Sequence, residues 1–143
     1  MWKVLLPVDG SDCALRAVRY FIEMAAARDD VSATLLYVHY VPMRFGAVAA
    51  QVLPEDIRKM ESEHAEPVMS SAEALLSEAN IPFEREFRAA VDVAPTIAKR
   101  AEELGSDAIF MGAHGGGALA RLLTGSTATK VVHLVKVPVT LVK

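Results

Sequence analysis

Residues 108–127 read Ala108-Ile109-Phe110-Met111-Gly112-Ala113-His114-Gly115-Gly116-Gly117-Ala118-Leu119-Ala120-Arg121-Leu122-Leu123-Thr124-Gly125-Ser126-Thr127, and this stretch decides how the chain is built. Ala108–Gly112 is a short apolar run that reads as a buried strand. Gly112, Gly115, Gly116 and Gly117 follow closely, and Gly125 opens a helix expected from about Ser126 to Val135. Glycine adopts positive φ and lets a ligand approach the backbone with no Cβ in the way. The helix start at Gly125-Ser126-Thr127 offers free N–H groups, hydroxyls and the positive end of a helix dipole, which together suit an anion. The expectation is a phosphate held mainly by main-chain amides, with Arg121 and Lys130 the nearest cations. Taken alone, a glycine loop after a strand is as readily a plain turn. The Gly-Ser pair at a helix start, after a nine-residue spacer from Gly115, points to a ligand.

Outward from this loop, strands and helices alternate. Trp2–Val8 reads as a buried strand broken by Asp9-Gly10. Ser11-Asp12 can cap a helix from Cys13 to about Arg28, with Ala14, Val18, Phe21 and Ala25 at helical spacing. Ser32–Val41 is a second strand and Pro42–Val52 a loop. Pro54, with Glu55 and Asp56 behind it, suits a helix start. That helix runs toward Asn80 with Ile57, Met60, Ala72, Leu75 and Ala79 inward, and Pro67 should kink or split it. Phe83–Ala89 alternates Phe83, Arg85 and Phe87 with Glu84, Glu86 and Arg88, the pattern of a half-exposed edge strand. Ala94–Leu104 is a helix stopped by Gly105, and Val137–Val142 is a last strand. Strands separated by helices imply right-handed crossovers and a doubly wound α/β domain with a parallel sheet covered on both faces. In such sheets ligands sit beyond the carboxyl ends of the strands, where the winding reverses. The loops after the first and fourth strands are therefore the place to look.

Composition sets the bounds. The chain has 143 residues, 52% hydrophobic and 23% charged, with a formal net charge of −3. That suits one globular domain with a proper core and supplies no global basic field for nucleic acid. Cys13 is the single cysteine, so no disulfide closes within the chain and no multi-thiolate zinc site forms. No apolar stretch approaches the ~20 residues of a membrane helix, and the start lacks the pattern of an export signal. A cytoplasmic location is expected.

Three separated motifs resemble one family. Gly112-x2-Gly115-x9-Gly125-Ser126 is similar to the nucleotide-binding pattern of the universal stress proteins. Val4-Leu5-Leu6-Pro7-Val8-Asp9-Gly10-Ser11 resembles that family's opening strand and turn, and Val137-Pro138-Val139-Thr140-Leu141-Val142 its closing strand. The resemblance spans residues 1–143 as one domain. It implies a five-stranded parallel sheet in the order 3-2-1-4-5, of the adenine nucleotide alpha hydrolase-like kind, and it implies ATP binding; Mg²⁺ is expected to accompany the phosphates, whose negative charge faces few cations here. Carried over by position, it places Pro7, Val8 and Asp9 on the adenine and ribose side, with Asp9 fixing the adenosine. Val38 packs on the base, and Met111 and Gly112 flank the ribose. His114, Gly115, Gly125, Ser126 and Thr127 hold the phosphates. It also implies a homodimer through residues 137–142. The chain departs from the family at Ala90-Val91-Asp92-Val93-Ala94-Pro95, where a glycine is usual, and at Thr127, where an aliphatic residue is common.

Other constellations are weaker. His39, His64, His114 and His133 show no i, i+4 metal pair. No Ser or Cys nucleophile with a partner acid is evident. Asp9 reads as a hydrogen-bond acceptor before a general base, and Cys13 as a packing residue. No Gly-Lys pair exists for a phosphate-loop NTPase, and no G-x-G-x-x-G follows the first strand for a dinucleotide enzyme. A receiver domain would need an acidic pair after the first strand, where Asp9 stands alone. The expected function is a nucleotide-dependent regulatory or stress switch with at most slow ATP hydrolysis. The alternatives are a nucleotide-independent dimeric interaction module and a true slow ATPase or phosphotransferase.

Overall fold

A computed structural model of the chain describes residues 1–42, 54–114 and 126–143. The elements in order are β1 (Trp2–Pro7), α1 (Asp12–Ala25), β2 (Val31–Tyr40), α2 (Pro54–Met60), a π-helical turn (Glu61–Ala65), α3 (Glu66–Glu78), β3 (Phe83–Ala90), α4 (Val93–Leu104), β4 (Ala108–Gly112), α5 (Ser126–Leu134) and β5 (Val139–Val142). The five strands form one parallel sheet in the order β3-β2-β1-β4-β5. Segments 43–53 and 115–125, which hold most of the expected 42–52 loop and of the glycine loop, lie outside the described residues.

Strand alternation divides the core into two layers. Val4, Leu6, Leu35 and Phe110 face α1 and α3, meeting Phe21, Met69 and Leu76. Their chain neighbours Leu5, Leu36, Ile109 and Met111 face α4 and α5, meeting Ile97, Ala101 and Val131. Because both faces are covered, β1 and β4 read as continuous apolar runs. Trp2, Phe21 and Phe110 pack ring against ring at 5.6–5.9 Å under the Arg28 guanidinium.

The edge strand β3 shows the expected alternation in its partners. Phe83 and Phe87 pack toward α1 and α3, and Arg85 on that face lies 3.2 Å from Glu66 and 3.0 Å from Glu73 of α3. On the other face Glu86 is held by Arg100 of α4. Both faces of β3 are thus tied to a helix by charge.

Two expectations are corrected in detail. The helix after Pro54 is split, as Pro67 requires, but the break is a π-helical turn just before the proline, which sits in the first turn of α3. Pro67 has no N–H to give, and a wider turn ahead of it removes the demand for one. The extra residue in that turn rotates the inward stripe: Ala65, Met69, Ala72 and Leu76 are buried, while Leu75 and Ala79 only flank the core. The last strand starts at Val139, two residues later than expected. Pro138 cannot donate to the ladder, though its carbonyl accepts from Ile109 N–H at 2.9 Å.

Candidate functional site

β1 pairs with β2 from Trp2↔Val31 to Pro7↔Leu36, but with β4 only at Val4↔Ala108 and Leu5↔Ile109. The two central strands therefore part company toward their carboxyl ends. The chain winds toward β3 on one side of this gap and toward β5 on the other. This is the switch point at which an open α/β sheet has room for a ligand.

The β1 side of the gap is built by a tight turn. Val8 N–H donates to Leu36 O at 2.8 Å, continuing the ladder one residue past the strand. Gly10 has φ +83, which turns the chain away from the sheet. The Asp9 carboxylate accepts from the Ser11 N–H at 3.0 Å and from the Ser11 hydroxyl at 2.5 Å. Ser11 Oγ in turn accepts from Ala14 N–H at 3.1 Å and caps α1. Asp9 is exposed, with its carboxylate oriented by the cap, and it reaches solvent at the mouth of the gap.

The β4 side is built by close approach. Gly112 lies against the first turn of α1, so that a Cβ on it would stand 3.2 Å from Cys13 Sγ. The Cys13 thiol donates to Val142 O at 2.9 Å, and Ala113 N–H donates to the same carbonyl at 2.8 Å. Next along, His114 is half-buried, and its Nδ1 is fully buried without a partner among the described residues. An imidazole nitrogen removed from water and left unpaired is costly unless a ligand completes it.

The sequence-expected residues fall out as follows. Pro7, Val8, Val38 and Met111 are all buried, at the carboxyl ends of β1, β2 and β4. Val38 and Met111 point into the α4–α5 layer and form a floor under the gap. Asp9, Gly112 and His114 stand at its rim. Ser126 opens α5 and Thr127 is half-buried in its first turn. Gly115 and Gly125 lie outside the described residues, as does Arg121. The turn at 90–95, which lacks the family's usual glycine, needs none: Asp92 has φ −136, and Asn80 is the single non-glycine residue at positive φ among the described residues.

A separate cluster escaped the sequence reading. Tyr37 O–H lies 2.6 Å from His39 Nδ1, and the His39 ring stacks on His64 at 4.4 Å with 13° between planes. Tyr37 and His39 are two apart on a strand and share a face, which period-two counting could have flagged. That His64 reaches them from the π-helical turn was not legible. Burial, followed by the negative charge of Asp9, pushes the Tyr37 phenol above its ordinary value. At the opposite end of the sheet a cavity of about 440 Å³ is lined by Lys3, Ser32, Thr34, Glu84 and Ser106, and it holds none of the expected site residues.

Among the described residues, no helix is long and apolar enough to cross a membrane. The chain is 29% identical over 141 residues to universal stress protein MJ0531 of Methanocaldococcus jannaschii, covering 99% of this chain and 81% of that protein. Its fold is similar to that of the universal stress protein UspA from Lactobacillus plantarum, with a TM-score of 0.77, 24% identity, and 99% and 97% of the two chains covered. It is also similar to a universal stress protein from Archaeoglobus fulgidus solved in complex with dAMP, with a TM-score of 0.65, 25% identity, and 100% and 98% of the two chains covered. The family description of the universal stress proteins matches residues 1–143, the full length that carries the parted strands and the glycine loop, and the chain belongs to the universal stress protein family.

Proposed function

We propose that the chain binds an adenine nucleotide in the gap between β1 and β4, taking ATP with Mg²⁺, and that occupancy acts as a regulatory switch in the cytoplasm. The observation that carries this reading is the Nδ1 of His114 at the end of β4, buried and without a partner among the described residues. With its proton on Nδ1 the ring would donate to a phosphate arriving at the start of the glycine loop. Further support comes from the relative of known structure that holds dAMP.

In this reading Asp9, oriented by Ser11, accepts from the adenosine, and Pro7, Val8, Val38 and Met111 supply the apolar floor. Gly112 leaves room at the ribose, while His114, Gly115, Gly125, Ser126 and Thr127 meet the phosphates. Amides and hydroxyls carry most of the anion binding, through the same helix-terminus physics that serves other phosphate sites. Mg²⁺ would ride on the phosphate oxygens and neutralise charge there. A switch follows if the phosphates order the 112–127 backbone and alter a surface that partners read. Turnover, if any, is slow.

Titration calorimetry with MgATP, ADP and AMP, paired with amide NMR, tests the reading. Saturable heat with shifts centred on residues 7–9, 38 and 111–127 supports it. Absence of heat and of shifts at saturating MgATP overturns it in favour of a nucleotide-independent module. Steady phosphate release would instead favour the enzyme reading.

A further inference from the structure

The histidine stack lies outside the residues assigned to the nucleotide. His39 ends the buried part of β2, and His64 sits in the π-helical turn between α2 and α3. Phe87 of β3 flanks the pair, 6.3 Å from the His39 ring and 5.5 Å from Tyr37. What holds this stretch of helix to the sheet is slight. None of the residues of α2 is buried, and Ala65 is the one buried residue of the π-helical turn. The stack is therefore a principal attachment of residues 54–65 to the sheet among the described residues.

We infer that the His39–His64 stack is an acid-sensitive clasp, which pins the α2 and π-helical segment to β2 while both rings are neutral and releases it when both are protonated. Two neutral imidazoles stack favourably, whereas two imidazolium rings at 4.4 Å repel. The groups facing the pair favour the neutral form of His39. Tyr37, kept protonated by burial and then by Asp9, lies 2.6 Å from His39 Nδ1 and can donate to it while the ring is neutral with its proton on Nε2. Burial, then the charge of His64, holds His39 below the usual imidazole value. On the helix side, Glu63 lies 3.9 Å from His64 Nε2 and can balance one proton. Neither ring makes another ion pair among the described residues, so a second proton finds no counter-charge. Lower on the same sheet face, Arg85 is already engaged by Glu66 and Glu73.

The sign follows from linkage. A histidine whose folded value is depressed stabilises the attached state above the unfolded value of about 6.5, and this is lost as pH falls through the folded value. Acidification would then free a charged helical surface beside β2 and β3 while the core, which contains neither ring, stays folded.

The test is amide hydrogen exchange with imidazole NMR on the full chain from about pH 8 to about pH 5, the window in which histidine titrates. After correction for intrinsic exchange, protection at residues 57–65 should fall by up to about tenfold per pH unit for each proton taken up, while β1 and β4 keep theirs. His64→Phe keeps a ring to stack and removes the charge. It should flatten that pH dependence and raise the His39 midpoint. His39→Phe is the second variant and should flatten it equally, and His133→Phe on α5 should leave it as in the parent. The clasp is refuted if residues 57–65 stay protected to the lowest pH, or if both stacking variants lose protection as steeply as the parent.

Discussion

Gly112 and Ala14 touch backbone to backbone: a Cβ built on Gly112 would lie 2.9 Å from the Ala14 nitrogen. The end of β4 and the first turn of α1 meet there with nothing between them, at the rim of the gap proposed to take a nucleotide. The glycine is thus demanded by packing as well as by any ligand.

Gly112→Ala should accordingly cost about 1–3 kcal/mol, the usual cost of overpacking a tight contact, because backbone atoms and not a flexible side chain must yield. Urea denaturation measures this. If the gap binds nucleotide as proposed, calorimetry on the folded variant should also show weakened ATP binding. A variant as stable as the parent would mean that α1 shifts freely at its first turn.

Ser11→Ala removes the α1 cap and the partner that orients Asp9 in one change. Loss of an N-cap hydroxyl costs about 0.5–2 kcal/mol, read as a lower urea midpoint with unchanged slope. Ser11→Asp should recover most of that stability, since aspartate caps as well. It should not recover any nucleotide affinity that depends on Asp9, because a second carboxylate would repel the first.

Acid should weaken the tie between β3 and α4. Arg100 donates to Glu86 Oε2 through Nε at 2.6 Å and to Oε1 through Nη2, with side chains 21% and 15% exposed. The hydrogen bonds from Arg100 hold the Glu86 carboxyl below its ordinary value, against the opposing effect of burial. Its stabilisation is therefore present above the ordinary glutamate range and is lost as pH falls through the folded value. Glu86→Gln should cost about 1.5–3 kcal/mol near neutrality, the range for hydrogen bonds to charged groups. The difference should vanish in strong acid, where the parent's carboxyl is protonated. A gap that persisted unchanged with pH would show that packing, not charge, makes the contact.

β5 is an edge strand, and Leu141, Val132 and Leu134 near it are 43%, 45% and 52% exposed. Edge strands with apolar neighbours invite pairing, and we propose the homodimer through residues 137–142 that the family resemblance implies. Sedimentation should give twice the chain mass. Pro138 and Val142 turn their carbonyls to β4, so Leu141, one residue out of that phase, has its N–H on the free edge, and Leu141→Pro, which removes that donor and spares the β4 ladder, should give the monomer. A parent that sediments as a monomer at all concentrations removes the proposal.

Local pattern was enough to lay out most of this protein. Apolar runs such as Val4–Leu6 and Ala108–Met111 mark buried parallel strands, because a strand covered on both faces has no polar side to show. The alternation of β3 marks an edge, and Gly105, at φ 60, closes α4 as a glycine after a helix does. The rim residues Asp9, Gly112 and His114 were legible because turns and glycine loops write themselves in consecutive positions. Tertiary structure alone decided the rest. That β1 and β4 separate after two pairs, that Gly112 is pressed onto Ala14, and that His64 comes to rest on His39 are contacts between residues far apart in the chain. Their partners are chosen by how helices settle on the sheet, and the one extra residue of a π-helical turn changes which side chains of the helix meet the sheet. Periodicity within a segment carries no record of that choice, because it reports which face is apolar and not what the face will meet.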